Sequence, residues 1–539
     1  MPKKIKKTKE EITAEDYFPV DQDDLKNTTE KKESEKTDDS KTTIEKIYRK
    51  LSKDEIEKVE KVVKKRTRKK KTTKKKVKAK PKDYSPSQIV LKKSGYELII
   101  TEKPQAALKI ASALGKSVKR DFKKIPYYEI NRDGKEIVVA CAVGHLFTLK
   151  QTSRGSGIPV FDVKWIPNYL ARKKDFTKKY FDTLLKLAKQ AGSLTVATDF
   201  DIEGEVIGLN VVRYLCGQKD AQRMKFSTLT NSELNNAYEN KLQTIKWSQA
   251  IAGETRHYLD WYYGINLSRA LMNSIKTTGK FKLMSIGRVQ GPALKLIVDK
   301  EKEIQDFKSQ TYWQSLITAS NGKNKLELKH NKDIFDKKDL KKFENLVGKT
   351  GKATTKKTEQ ILPPNPPFNL TSLQLEAYKF HNITPSNTLK AAQSLYLSGL
   401  ISYPRTSSQK LPSSINYKSI LRKLAKEYKA EHLITKDKPI EGKKTDPAHP
   451  SIYPTGEKQI LSGNENKIYK LIVKRFLSLF CDNAIIDKKS VKVDVDKLLF
   501  AANGSSIKKK SWLEIYPSKL KQEQIPDLEG EVKVVREYD

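Results

Sequence analysis

A chain of 539 residues is too long for one hydrophobic core and should divide into several domains; with 37% hydrophobic residues it can bury them, which excludes wholesale disorder. Its formal net charge of +42 points to a polyanion as partner, nucleic acid first. Three scattered cysteines, Cys141, Cys216 and Cys481, exclude a disulfide framework or zinc ribbon, and neither an apolar run of about 18 residues nor an apolar N-terminal signal core is present, so a soluble, cytoplasmic protein is expected.

Residues 1–93 are poor in aromatics and rich in Lys, Glu, Asp, Ser and Thr, a composition that cannot offset chain entropy by burial, so a disordered basic arm is expected. Its stretch 61–82, KVVKKRTRKKKTTKKKVKAKPK, carries 14 basic residues and no acid, whereas residues 1–60 are close to neutral. Most of the positive surplus therefore lies beyond the arm. The basic run is either a solvated tail or a segment that binds DNA by releasing counterions.

Order should begin at YELIITEKPQAALKIASALG. Tyr96–Ile100 reads as a buried strand, and Ala106, Ala107, Ile110, Ala111 and Leu114 then recur at helical spacing. The pattern returns in SLTVATDFDIEGEVIGLNVVRYL, where a strand at Leu194–Ala197 runs into acids and then a helix. Two such units imply a parallel α/β sheet with functional residues at its strand ends. Residues 231–302 have helical periodicity, short strands follow Thr311, and a similar β-rich piece ends the chain in SVKVDVDKLLFAANGSSIKKKSWLEIYP. Between the two β pieces, prolines in LPPNPPFNLTSLQ open a mainly helical block, about 363–488. A β domain interrupted by a helical insertion is expected. The divisions fall at 1–93, 94–230, 231–306, 307–362, 363–488 and 489–539, with 307–362 and 489–539 as two parts of one β domain.

Asp199, Asp201 and Glu203 alternate just after a strand, with Gly204 giving room to turn into the next helix. Hard oxygen ligands at that density repel one another unless a cation is present, which suggests a magnesium site. Glu102 and Lys103 end the first strand of the same sheet and should face this cluster; a carboxyl there should have a raised pKa and could carry a proton to or from a leaving oxygen. In LISYPRTSS, Tyr403 is a poor nucleophile at its ordinary pKa of about 10. Nearby cations and a metal-bound phosphate favour its phenolate, Arg405 can supply such a charge and fork onto a phosphate, and Pro404 fixes their spacing.

These residues resemble the type IA DNA topoisomerases, most closely the archaeal type I enzymes, over about residues 95–535. LIITEKP and TDFDIEGE resemble the two Toprim signatures, SIGRVQGPAL a DNA-contacting segment, PPFNLTSLQ the linker into the arch, LYLSGLISYPRTSS the nucleophile motif and DPAHPSIYPTG the histidine motif. The resemblance implies a multidomain torus with a Toprim sheet and helical groove at its base, a β arch, and a mainly helical nucleophile domain. It implies that Tyr403 becomes 5′-phosphotyrosyl, that Arg405 stabilises the transferring phosphate, that Glu102 and Lys103 assist proton transfer and phosphate binding, and that His449 supports cleavage. Glu102, Asp199, Asp201 and Glu203 would hold Mg²⁺. Arg256, Asp260, Ser285, Gly287, Arg288, Val289 and Gln290 would contact DNA along a single-strand groove.

The implied activity is relaxation of negatively supercoiled DNA, acting on its single-stranded regions in the nucleoid. No G-x-x-x-x-G-K-[ST] loop occurs, so ATP is not expected as cofactor. Ser407 stands where the family often has Asp, Ile202 where Arg is frequent, and Pro450 and Tyr453 where bacterial members often have Glu and Arg. In the family a helical segment completing the groove follows the last β strands; its absence before Asp539 would expose apolar surface around Tyr258–Leu271 and suggests a second polypeptide as partner. Two other readings share these motifs: a metal-dependent nuclease, for which Tyr403 would be dispensable, and a non-catalytic DNA-binding subunit.

Overall fold

The computed structural model describes residues 84–172, 175–280 and 282–538; the basic run 61–82 lies outside the described residues. Residues 84–93, read from the sequence as part of the arm, instead run along the first domain: Ile89 is buried, its carbonyl accepts from Gln218, and Lys92 N–H donates to Ala191.

Strand β1, Tyr96–Thr101, buries Leu98, Ile99 and Ile100 completely. Pro104 then opens helix α1, Pro104–Leu114, at a position where its missing N–H costs nothing, and all five apolar residues at helical spacing are buried. Strands β2 (Ser117–Phe122), β3 (Ile125–Arg132) and β4 (Lys135–Cys141) follow, then a small pair, β5 (Phe147–Gln151) and β6 (Val163–Pro167), and helix α2, Thr177–Ala188. The second strand–helix unit is β7, Ala191–Ala197, and α3, Ile202–Asn210; a short β8, Gln222–Arg223, completes the sheet. Its order is β2-β3-β4-β1-β7-β8.

The sheet has the parallel core expected from the two strand–helix units, with two antiparallel strands added at one edge. Strands β4, β1, β7 and β8 run parallel, but β2 and β3 are antiparallel to their neighbours. The cause is local: β2 and β3 are joined through Lys123 and Lys124, both at positive φ, a turn too tight to return the chain in the same direction.

Three helices follow: α4 (Asn231–Glu239), the 31-residue α5 (Trp247–Thr277) and α6 (Gln290–Asp306). Helix α5 lies close to α3, where a Cβ on Gly253 would meet the Ile202 carbonyl oxygen at 2.4 Å. Away from that contact α5 exposes Leu259, Tyr263 and Leu267, and α6 has no buried residue. This is the exposed apolar surface expected from the sequence.

Strands β9 (Leu316–Ser320), β10 (Lys325–His330) and β11 (Thr350–Leu362) precede helices α7 (Leu370–His381), α8 (Pro385–Leu397), α9 (Tyr417–Glu427) and α10 (Gly463–Ser478). Strands β12 (Ala484–Val495), β13 (Leu498–Lys509) and β14 (Gly530–Tyr538) follow. All six close one barrel, in the order β10-β13-β12-β11-β14-β9, around Ile317, Leu328, Val493, Phe500 and Val534. Leu362 pairs with Ala484, so the helical block leaves and re-enters the barrel at adjacent strand ends. That register lets a long insertion sit in a β fold without opening it. The block in turn packs on the first domain: Ile99, Phe226 and Leu229 share a core with Tyr396, Leu400 and Tyr403. Among the described residues no helix is long and apolar enough to cross a membrane.

Candidate active site

Strands β1 and β7 pair through Thr101 and Ala197, so the residues that leave their carboxyl ends are neighbours. Lys103 takes advantage of this, placing its Nζ 3.1 Å from Glu102 and 2.5 Å from Asp199. The turn after β7 is so tight that a Cβ on Gly204 would lie 2.0 Å from the Asp199 carbonyl oxygen; only glycine fits. Asp201 caps α3, its Oδ1 accepting from the N–H groups of Glu203 and Gly204, which leaves Oδ2 to face outward.

What holds this turn is a pair that the sequence did not disclose. Arg223 on β8 is fully buried, donates to Glu205 at 2.7 Å, and donates to the carbonyls of Thr198 and Asp199 at 2.8 Å. Arg223 belongs to no recognisable motif, and Glu205, although it ends TDFDIEGE, carries no local sign of its partner.

The second half of the site comes from the helical block. Gly399, at φ +81°, lets the chain leave α8, and Tyr403 N–H then donates to the Ser227 carbonyl of the first domain at 2.8 Å. Tyr403 is buried, and its hydroxyl donates to Asp201 Oδ2 at 2.5 Å. Tyr396, packed edge-on with ring centres 5.2 Å apart, donates its own hydroxyl to Asp199 Oδ1 at 3.1 Å. His449 lies 4.6 Å from the Tyr403 ring, centre to centre, and its Nδ1 is 3.0 Å from Ser227 Oγ. His449 Nε2 is buried with no hydrogen-bond partner in the described structure, a polar atom left for a ligand. Ser407, which stands where an acid was expected, bonds Asp446 Oδ2 at 3.1 Å through its hydroxyl, so the DPAHP segment brings a carboxylate to this turn.

Electrostatics follow from that packing. Burial pushes Glu102 up to about 7, with Asp199 and Asp201 adding to the rise and Lys103 opposing it, as expected. For Tyr403, burial, Asp201 and Asp199 hold the phenol well above its ordinary value, against the lowering effect of Arg405, so the protein's own cations do not by themselves favour the phenolate. Burial pushes His449 down despite the acids near it, which favours its neutral imidazole.

Glu203 does not join the other acids. Positions 201 and 203 lie two apart at a helix start and do not share a face. Its Oε1 accepts from Arg256 at 2.9 Å, and its Oε2 lies 3.2 Å from His145 Nε2 and 2.9 Å from His257 Nε2. Burial alone would raise this carboxyl, but the two imidazoles hold it well below the usual range. The expected set of four metal carboxylates is thus divided, Glu102, Asp199 and Asp201 on one side and Glu203 on the other.

Of the residues expected to contact DNA, three are linked. Arg288 Nε donates to Asp260 at 2.7 Å, and Arg256 Nε lies 3.6 Å from the same carboxylate. Ser285, Gly287 and Val289 lie in the connection from α5 to α6, and Gln290 begins α6; Ser285, Val289 and Gln290 are exposed.

Residues 226–538 match the DNA topoisomerase family and residues 97–229 the Toprim domain. The chain is 46% identical over 432 residues to DNA topoisomerase 1 of Methanocaldococcus jannaschii, covering 78% of this chain and 56% of that protein. It is 44% identical over 448 residues to DNA topoisomerase 1 of Pyrococcus horikoshii, covering 79% and 65% respectively. The chain therefore spans less than two thirds of either relative. In fold it is similar to full-length topoisomerase I from Thermotoga maritima, with a TM-score of 0.61 and 24% identity over 82% of this chain and 71% of that one.

Proposed function

The chain belongs to the type IA DNA topoisomerase family, and from that premise we propose that it cleaves one DNA strand through Tyr403, lets a strand pass, and reseals the break, relaxing negative supercoils without ATP. The observation that carries this reading is the Tyr403 hydroxyl held 2.5 Å from Asp201 at the carboxyl edge of the Toprim sheet. As the Tyr403 Oη–phosphorus bond forms, the phenol proton passes by way of Asp201 Oδ2 to solvent, which leaves Asp201 ionised, and the bond from phosphorus to the 3′ oxygen breaks. Glu102, partly protonated near neutral pH, gives its proton to that departing oxygen. The phosphate stays 5′-linked to Tyr403, so the bond energy is kept and the reverse reaction reseals the strand. Lys103, Arg405 and Nε2 of His449 are the groups proposed to bind the phosphate oxygens.

Asp199 and Asp201 form a hard oxygen pair suited to Mg²⁺, with Glu102 as a third donor when ionised. Burial raises the Glu102 carboxyl, and the charges of Asp199 and Asp201 add to that rise, as expected of acids gathered where a cation can bind. When bound, the ion supplies positive charge that offsets these acids and favours the developing phenolate. Arg256, Asp260, Ser285, Gly287, Arg288, Val289 and Gln290 are the proposed wall of the single-strand groove, and the closed β barrel the proposed arch of a torus. The domain divisions stated from the sequence, with residues 84–93 moved to the first domain, are part of the same proposal, and a second polypeptide is proposed to cover the exposed α5 and α6 side chains.

The test is to trap a denaturant-stable protein–DNA adduct with Mg²⁺. Tyr403→Phe should abolish both the adduct and plasmid relaxation. Cutting that persists in this variant would mean hydrolysis by water, as in the nuclease reading. A wild-type chain that binds DNA but forms no adduct would favour the DNA-binding subunit.

A further inference from the structure

The chain has only six histidines, and two of them, from positions 112 residues apart, turn the same ring nitrogen onto one oxygen of Glu203. His145 comes from the connection between β4 and β5, Glu203 from the first turn of α3, and His257 from α5. One ligand atom of each lies within 4.8 Å of the other two. Ligand atoms on a tetrahedral ion bonded at about 2.0–2.1 Å lie about 3.3 Å apart. The two imidazole-to-carboxylate separations, 3.2 and 2.9 Å, already approach that edge length.

From this convergence we propose that His145, Glu203 and His257 form a transition-metal site, taking Zn²⁺ or Co²⁺, separate from the carboxylates around Tyr403. Two imidazoles and a carboxylate are a borderline-soft donor set that selects such ions over Mg²⁺. Arg256 holds the far oxygen, Oε1, at 2.9 Å, so the carboxylate is oriented with Oε2 toward the imidazoles. The ring of Trp165 stands 5.5 Å from that of His257 and closes one side of the site. His257 is 29% exposed, which gives the ion a way in and leaves a fourth position for water. The ion would take the Nε2 lone pair of each neutral imidazole, with the ring proton held on Nδ1, so that two neutral imidazoles and a carboxylate surround a divalent ion. It ties three elements together, the Toprim loop, α3 and the groove helix α5, so the bound ion anchors α5 to the sheet. This conclusion stands apart from the proposed activity, because it needs no reaction at Tyr403.

The experiment uses the full chain without a histidine tag, stripped with chelator and titrated with Co²⁺ in excess Mg²⁺. The expected result is the visible absorption of four-coordinate Co²⁺, saturating at one ion per chain and raising the melting temperature. His257→Asn and His145→Gln should each weaken Co²⁺ binding by at least about 10–100-fold. No such absorption, its loss to Mg²⁺, or undiminished binding in both variants would overturn the site. If the variants fail to fold, X-ray absorption of the Zn²⁺-loaded wild-type chain decides. A shell with two imidazoles is expected, and a shell of oxygens alone contradicts the proposal.

Discussion

On one side of the turn that begins α3, Glu102 lies beside Asp199 and Asp201, and burial with their charge brings its carboxyl up to about 7. On the other side Glu203, two residues along from Asp201, meets His145, His257 and Arg256 and is held well below the usual carboxylate range. Both are glutamates near the carboxyl edge of one sheet. The difference teaches that a run such as DFDIEGE does not make one site. The N-cap geometry of Asp201 turns one oxygen toward Tyr403, and the helix then carries Glu203 round to α5. One carboxyl is prepared to exchange a proton, the other to remain an anion.

The largest way to break this contrast is to remove the protonatable partner. Glu102→Gln should lower the rate of adduct formation by about 10²–10⁴-fold and remove any limb near pH 7 from its pH profile. An unchanged profile in a rapid-quench assay would mean that another group donates the proton. Next in size is the support common to both sides. Arg223→Met leaves Glu205 buried without its cation and frees the carbonyls of Thr198 and Asp199, so it should cost about 3–5 kcal/mol in denaturant unfolding. A loss below about 1 kcal/mol would show that the turn holds itself.

The sequence carried the strand–turn–helix units because their apolar runs are buried on both sides: every apolar position expected on α1 lies in the core. It also carried the meeting of Glu102 with Asp199, since parallel neighbours share an edge. The β2–β3 hairpin was illegible because Ser117–Phe122 is an edge strand with four exposed residues and no alternation to betray it. Arg223 with Glu205, and His145 with His257, were hidden for another reason: each pair is joined only by folding, and a lone Arg or His has no local pattern. For His257 the one available cue was its place beside Arg256 in ETRHYLDW. Tyr403 was expected from its motif, but the acids beside its hydroxyl, which raise its pKa, come from a distant part of the chain and left no local cue.

The two glutamates also predict opposite responses to acid. Glu102, raised above its ordinary 4.5, takes up a proton on folding between pH 4.5 and about 7, so its contribution to stability grows as pH falls through that window. Glu203, lowered, contributes stability that is fully present above pH 4.5 and is lost as pH falls below it. In Mg²⁺-free unfolding series, Glu102→Gln should therefore flatten the change between pH 4.5 and 7, and Glu203→Gln the loss below 4.5. The same variant flattening both windows would merge the two sides into one coupled site. The smallest effect concerns charge far from either: deletion of residues 1–82 should reduce the salt dependence of single-strand binding, by about 0.7 in logarithmic slope for each phosphate that the arm neutralises, and leave adduct chemistry intact.

Which hydroxyl attacks decides the chemistry of the site. Tyr396 and Tyr403 stand with ring centres 5.2 Å apart, each bonded to its own aspartate, and packing alone does not separate them. Digesting the trapped protein–DNA adduct to peptides and locating the nucleotide by mass spectrometry does. The prediction is a 5′-phosphate ester on Tyr403, within LISYPRTSS, and none on Tyr396. A nucleotide on Tyr396, or an adduct that survives Tyr403→Phe, would contradict it.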